Sequence, residues 1–415
     1  MAQSRDYDEL LYYWHAWHEA TGPQLKNKYM RYVQLANQAS RLNEFFEDDQ
    51  FQQNIADVMS AVTPLYKNLF TYVRTKLVER YGDRLKNDGP LPAHILGNMW
   101  SQNWENIFDI VQPFPASRRL DVTLDMVTQE FFTSLGMKPM PPEFWRFSMF
   151  EKPIDREVKC TASAWDFCNN IDYRIKQCTR VTMDDLLSTH HEIKYYNCFY
   201  EAVSDAIGLS VFTPQHFSKI SLYNNSMDDY GNNINFLMLM ALRKIAYMPF
   251  AYIVDQVIEF YHCNSNLLSI MNCSTDTKNR KRFRSRFEIS HPLYIYIHQL
   301  TSLIFRYFVS VVLQFQLFES LCEIAGHTGD LYTCDFYRSC IFNRDVLSMG
   351  TSRPWKDVVR QMTRGRTNRM DAGAMLRYFE PLNQWLKRRN KMEPVVGWIT
   401  NQEDTGEIEN RVDYI

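Results

Sequence analysis

The strongest chemical signal in this chain lies in His191, Glu192 and Tyr195. A helix carrying His-Glu-x-x-His presents two imidazoles one turn apart on one face, where they grip a zinc ion. The Glu beside the first His takes a proton from the metal-bound water. His191 and Glu192 fill the first two places. Tyr195 stands where the second His is needed, and a phenol with a pKa of about 10 is a poor zinc ligand. The spacing thus predicts a helix that begins like a hydrolytic zinc helix and lacks one ligand.

Long helices must position these residues. Asp6 and Glu9 resemble a capping box, and Tyr7, Leu10, Leu11, Trp14 and Trp17 recur at helical spacing until Gly22-Pro23, where the helix is expected to stop. A second helix carries Tyr29, Tyr32, Val33 and Ala36. A third is expected from Asp49 to Tyr81, bent or split at Pro64 and ended by Gly82. Residues 157–167 and 172–181 read as two short strands with Asn169-Asn170 near the turn. A helix is expected over Ile234 to Phe260. Pro292 to Phe318 is expected to be a buried helix, not a membrane span, because His298, Gln299 and Arg306 interrupt it.

Composition narrows the function classes. The 415 residues are 45% hydrophobic and 14% aromatic, enough for a large core and far from a disordered chain. A net charge of −2 gives no global pull toward nucleic acid or anionic membranes. The polar start, Met1 to Asp6, is no signal peptide. Nine Cys leave at least one unpaired in an oxidising compartment. Six basic residues crowd into 278–286. A solvated surface loop is the favoured reading there, with a polyanion-binding loop and translated non-coding sequence as alternatives.

Around the incomplete motif the words become specific. Tyr200-Glu201-Ala202-Val203-Ser204-Asp205, Pro90 to Asp109, Glu130-Phe131-Phe132-Thr133-Ser134-Leu135, Met240 to Phe250 and Arg306 to Gln316 resemble the angiotensin-converting-enzyme family of zinc dipeptidyl carboxypeptidases. The resemblance covers about three quarters of the chain and fails over 261–300. It implies an all-α fold of long helices enclosing a deep central channel, with one small β-hairpin next to the zinc-type helix. It implies a single helical domain over 1–398, truncated at its N-terminus relative to the family, and a polar tail over 399–415.

The same resemblance assigns roles. Glu201 matches the third zinc ligand and Asp205 its hydrogen-bonding partner. Glu192 matches the general base and Tyr307 the oxyanion donor. Arg306 and Trp104 match chloride-binding positions, with Phe108 replacing a Tyr there. Ala162 matches a backbone contact to substrate, and Thr161 replaces the substrate His beside it. Cys160 with Cys178, and Cys322 with Cys334, fall at the spacings of two family disulfides, which implies an extracellular setting. Cys168, Cys198, Cys263, Cys273 and Cys340 have no assigned partner. Asn224 and Asn272 begin glycosylation sequons.

The departures decide the expected activity. Only residues 196–200 separate Tyr195 from Glu201, where the family has a crossover of about two dozen residues. On a continuous helix Glu201 would lie about 15 Å along the axis from His191 and roughly 80° off its face. The substrate-carboxylate Lys and His would fall near Ile295 and Ile297, and no Lys lies nearby. No counterpart of the carboxylate-binding Gln follows Asp121-Val122-Thr123. The expectation is a non-catalytic family member that binds no zinc, with chloride retained as a possible ligand and a peptide or protein in the channel. The alternative is an active peptidase whose sequence here is incomplete.

Overall fold

The computed structural model describes residues 1–42, 49–115, 139–167, 169, 171–180, 185, 188–189, 200–219, 230–253, 293–336 and 353–398. In order, the elements are α1 (Tyr7–Leu42), α2 (Asp49–Tyr81), α3 (Phe108–Val111), α4 (Pro142–Phe147), β1 (Ser163–Asp166), β2 (Tyr173–Lys176), α5 (Tyr200–Val211), α6 (Pro214–Lys219), α7 (Tyr230–Lys244), α8 (Leu293–Ile324), α9 (Trp355–Met362), α10 (Gly373–Tyr378) and α11 (Glu380–Arg389). Among the described residues the only sheet is the β1–β2 pair, so the fold is all-α with one small hairpin. The chain forms two compact units. One is Met1–Pro115, Ile234–Phe308 and Glu380–Ile415; the other is Ala116–Asn233 and Val309–Phe379.

The first unit is built around α2. Ile55, Val58, Val62, Leu65, Leu69, Val73 and Leu77 are buried along it. Pro64 neither splits nor ends the helix. The Thr63 hydroxyl donates to the Met59 carbonyl at 2.6 Å, and the buried stripe continues on both sides of the proline. Pro23 likewise lies inside α1, so the expected stop at Gly22-Pro23 and the separate second helix are corrected. Leu10, Trp14, His18 and Gly22 form one buried row at four-residue steps, and Thr21 donates to the Trp17 carbonyl at 2.8 Å. Burial of that row holds the helix through a residue that local propensity would use as a terminator. Asp6 does cap α1: its Oδ1 accepts from Glu9 N at 2.8 Å.

Two further helices differ from expectation. The helix expected over Ile234 to Phe260 is α7, a turn at 245–246, and a second helical run over 247–253; 254–260 lie outside the described residues. The Ala241 carbonyl accepts from both Ile245 N and Ala246 N, at 2.9 and 3.1 Å. One extra residue is thereby inserted just before Pro249, which has no N–H for the helical ladder. α8 extends beyond Phe318 to Ile324. Tyr230–Ile253 and Tyr307–Ile324 have the length and apolarity of membrane spans. Their buried residues, Leu237, Met238, Ala241, Phe315 and Phe318 among them, are those of core helices.

The second unit gathers aromatic rings on α8 and α10. Phe315 lies 5.0 Å from Tyr378 and 5.6 Å from Phe379, and Phe318 lies 5.9 Å from Phe336, centroid to centroid. Cys322 and Cys334 are bonded, as are Cys160 and Cys178. The first of these pairs closes a 12-residue separation at the end of α8. Replacing both Cys322 and Cys334 with Ser should cost roughly 3 kcal/mol, mainly through the freed unfolded chain. Urea denaturation of the double variant against the parent measures it.

Candidate functional site

The hairpin and α5 both belong to the second unit and carry the first residues of interest. β1 and β2 pair antiparallel, with Ser163 opposite Lys176 and Asp166 opposite Tyr173. Asn169 Oδ1 accepts from Ile171 N and Asp172 N at 3.0 and 2.8 Å and so shapes the turn. The outer edge of β2 is covered: Met149 N donates to Ile175 O at 2.8 Å, and Gln177 N to Met149 O at 2.7 Å. The Cys160–Cys178 disulfide ties the two legs together. Ala162 is half-buried and immediately precedes β1.

α5 carries Glu201 and Asp205 at a four-residue spacing, which puts both on one helical face. Its opposite side is locked into the core through Ala202, Val203, Ala206, Ile207 and Leu209. The C-terminal turn of α5 is fixed by a buried polar cluster that sequence reasoning missed. Asp335 has a side chain only 1% exposed. It accepts from Ser210 Oγ at 2.9 Å, lies 3.3 Å from His216 Nδ1 and pairs with Lys219 Nζ at 3.1 Å. Ser210 Oγ in turn accepts from Phe336 N at 3.1 Å. A buried carboxylate is tolerable only with such a set of donors. The available signal was the adjacency of Asp335 to the bonded Cys334. Residues 210–219 and 334–336 thus form one corner that sets the position of α5.

In the first unit, Trp104 is 1% exposed. Its indole N–H donates to Ser101 O at 2.7 Å, and its backbone N–H to Leu242 O at 3.0 Å. Tyr307 lies on α8, half-buried, and acts electrostatically on Tyr247. Burial first, and Tyr307 second, push the Tyr247 phenol well above its ordinary pKa. Arg306 lies on the same helix, and its side chain is outside the described residues. So are the Glu201 side chain and all of His191, Glu192, Tyr195, Asn224, Asn272, the remaining five Cys and the basic run 278–286. Among the described residues, no group of three or more His, Cys, Asp or Glu could hold a metal ion.

The sequence profile of the angiotensin-converting enzyme peptidase family matches residues 1–398. The chain belongs to the angiotensin-converting enzyme family. It is a zinc metallopeptidase family of the peptidyl-dipeptidase type. The angiotensin-converting enzyme of Mus musculus is 41% identical over 463 residues, covering 97% of this chain and 34% of the mouse protein. The angiotensin-converting enzyme-like protein Ace3 of Mus musculus is 37% identical, over 96% of this chain and 61% of its own length. The angiotensin-converting enzyme of Theromyzon tessulatum is 34% identical, over 94% of this chain and 71% of its own length. The chain spans about a third of the length of the mammalian angiotensin-converting enzymes it matches. The 463 aligned positions outnumber its 415 residues, so the mouse enzyme has residues there with no counterpart in this chain.

Proposed function

We propose that this chain is a non-catalytic member of the angiotensin-converting enzyme family, a binding protein on a retained single-domain scaffold over 1–398. The observation that carries this is the donor set. His191 and Glu201 supply one imidazole and one carboxylate, Tyr195 stands where the second imidazole belongs, and five residues separate Tyr195 from Glu201. That set does not fit a tetrahedral zinc site, which needs three protein ligands within about 2 Å of one ion. Glu192 and Tyr307 are retained as vestiges of the base and the oxyanion donor. Arg306 and Trp104 are the positions for a chloride ion, and Ala162 offers backbone to a peptide in the channel. The two disulfides support an extracellular setting, in which Asn224 and Asn272 would carry glycans.

A second reading has its own support. The alignment contains positions absent from this chain, which is what an active peptidyl-dipeptidase read from an incomplete sequence would give. One experiment separates the two. The purified chain should contain well under one zinc per molecule and release no C-terminal dipeptide from a test peptide. Tyr195→His alone should not restore activity, because Glu201 stays misplaced. Chelator-sensitive dipeptide release by the parent chain would overturn the non-catalytic reading. A full-length transcript with the second His and the long crossover would establish the other.

A further inference from the structure

Three histidines gather where α1 meets the turn Ala93–Ile95, and nothing in the family reading uses them. His18 and His94 are 0% and 1% exposed, and both Nε2 atoms lack a hydrogen-bond partner. His18 Nδ1 lies 2.7 Å from the Trp14 carbonyl, and its ring is 4.0 Å from the Trp14 ring. The His94 and Tyr7 rings meet edge to face, with centroids 4.5 Å apart. His15, half-buried and 5.4 Å from the Trp14 ring, acts electrostatically on both. An imidazole is the side chain whose charge changes nearest neutral pH. Two of them sit here with no acceptor for an Nε2 proton and a third beside them.

We propose that this histidine cluster is an acid-sensitive latch, which holds the N-terminal half of α1 on the 93–95 turn at neutral pH and releases it on acidification.

The charged neighbours are few. From the residues just before α1 come Arg5 and Asp6, and from α1 comes Asp8; from the end of α2 and the turn after it come Tyr81 and Arg84; from α3 comes Asp109. Asp8 pairs with Arg84, and Arg5 pairs with Asp109 at 2.8 Å. Arg84 also lies over the Tyr7 ring at 4.9 Å. Asp8 is therefore engaged with Arg84 and only partly offsets a charge on His94. Burial, with the His15 charge adding to it, holds the His94 imidazole down to about 4. Burial also lowers His18; its bond to the Trp14 carbonyl opposes this, and His15 adds to it.

The sign follows from linkage. Above about pH 6.5 both the docked and the released imidazoles are neutral, and the cluster contributes no pH dependence. As pH falls from there toward 4, the released form takes up protons and the docked form does not. Docking therefore weakens across that window. The hydrogen bond from Arg84 holds the Asp8 carboxyl below its ordinary range, so that pair persists through the window.

Hydrogen exchange of the full chain, followed by mass spectrometry and corrected for intrinsic rates, tests this between pH 7 and pH 5. Opening over 7–20 and 93–101 should rise on the order of 10-fold, while 373–379 in the other unit stays unchanged. The His18→Gln, His94→Gln double variant should lose the rise. An equal rise over 373–379 would mean general acid unfolding and overturn the latch. So would an undiminished rise in the variant, or no rise in the parent. If the variant does not fold, imidazole NMR of the parent decides: His18 and His94 signals that stay neutral below pH 6 until opening support the latch, and ordinary titration near 6.5 refutes it.

Discussion

Asp335→Ala should destabilise the second unit by about 3–5 kcal/mol, the range for removing one partner of a buried ion pair. The variant strips the acceptor from Ser210 Oγ, His216 Nδ1 and Lys219 Nζ together. His216 is 1% exposed and cannot turn to water. Lys219 is half exposed and can, so its share is small. Most of the loss therefore comes from the contacts that buried Ser210 and His216 make with the carboxylate. Asp335→Asn keeps the shape and one acceptor oxygen and should cost less. Thermal unfolding should show a drop of roughly 10 °C for the Ala variant. Local exchange should rise first in α5 and α6, because those helices join at this corner. A drop of under 2 °C would mean that Ser210 and His216 find other partners.

Arg74→Ala should have a comparable effect on the first unit, about 3–5 kcal/mol. Arg74 is 1% exposed in the C-terminal third of α2. Its guanidinium donates to the carbonyls of Gly397, Val395 (2.8 Å) and Gly89 (3.3 Å). Those bonds strap residues 395–397 across α2, where Gly397 N also donates to Thr71 Oγ1 at 2.7 Å. Gly397 adopts φ +92°, and a Cβ there would meet Lys67 at 3.2 Å. Loss of the side chain leaves three carbonyls without their donor and a void under the strap. Trp398, whose ring is 5.1 Å from Phe70, should then become mobile. Its fluorescence and limited proteolysis near residue 398 would report that release. An Arg74→Met variant fills the volume without the donors, and its difference from Ala separates packing from hydrogen bonding.

Much of the fold was legible in local pattern. The α2 boundaries and the hairpin were expected from it and found, and both disulfide pairs implied by the family resemblance are present. The stop expected at Pro23 and the split offered for Pro64 did not occur. Pro23 and Pro64 look like breakers because each removes one helical bond, a cost local in sequence. The apolar rows that offset that cost act on both sides of the proline, and their worth depends on what they pack against. The site was legible only by residue type. His191, Glu192, Tyr195 and Glu201 carry the proposed chemistry and its proposed defect, since ligand identity and spacing are properties of the sequence.

The sequence by itself determined the family and the helical class, and it carries the proposal that this donor set does not fit a zinc ion, because all three rest on residue order. Only the tertiary structure decided which polar groups are buried together. Asp335 lies more than a hundred residues from Ser210 and His216, and Arg74 more than three hundred from Gly397. No periodicity links residues so far apart. Their pairing arises because a charge withdrawn from water must find its donors or acceptors wherever the chain brings them, and that is a property of packing.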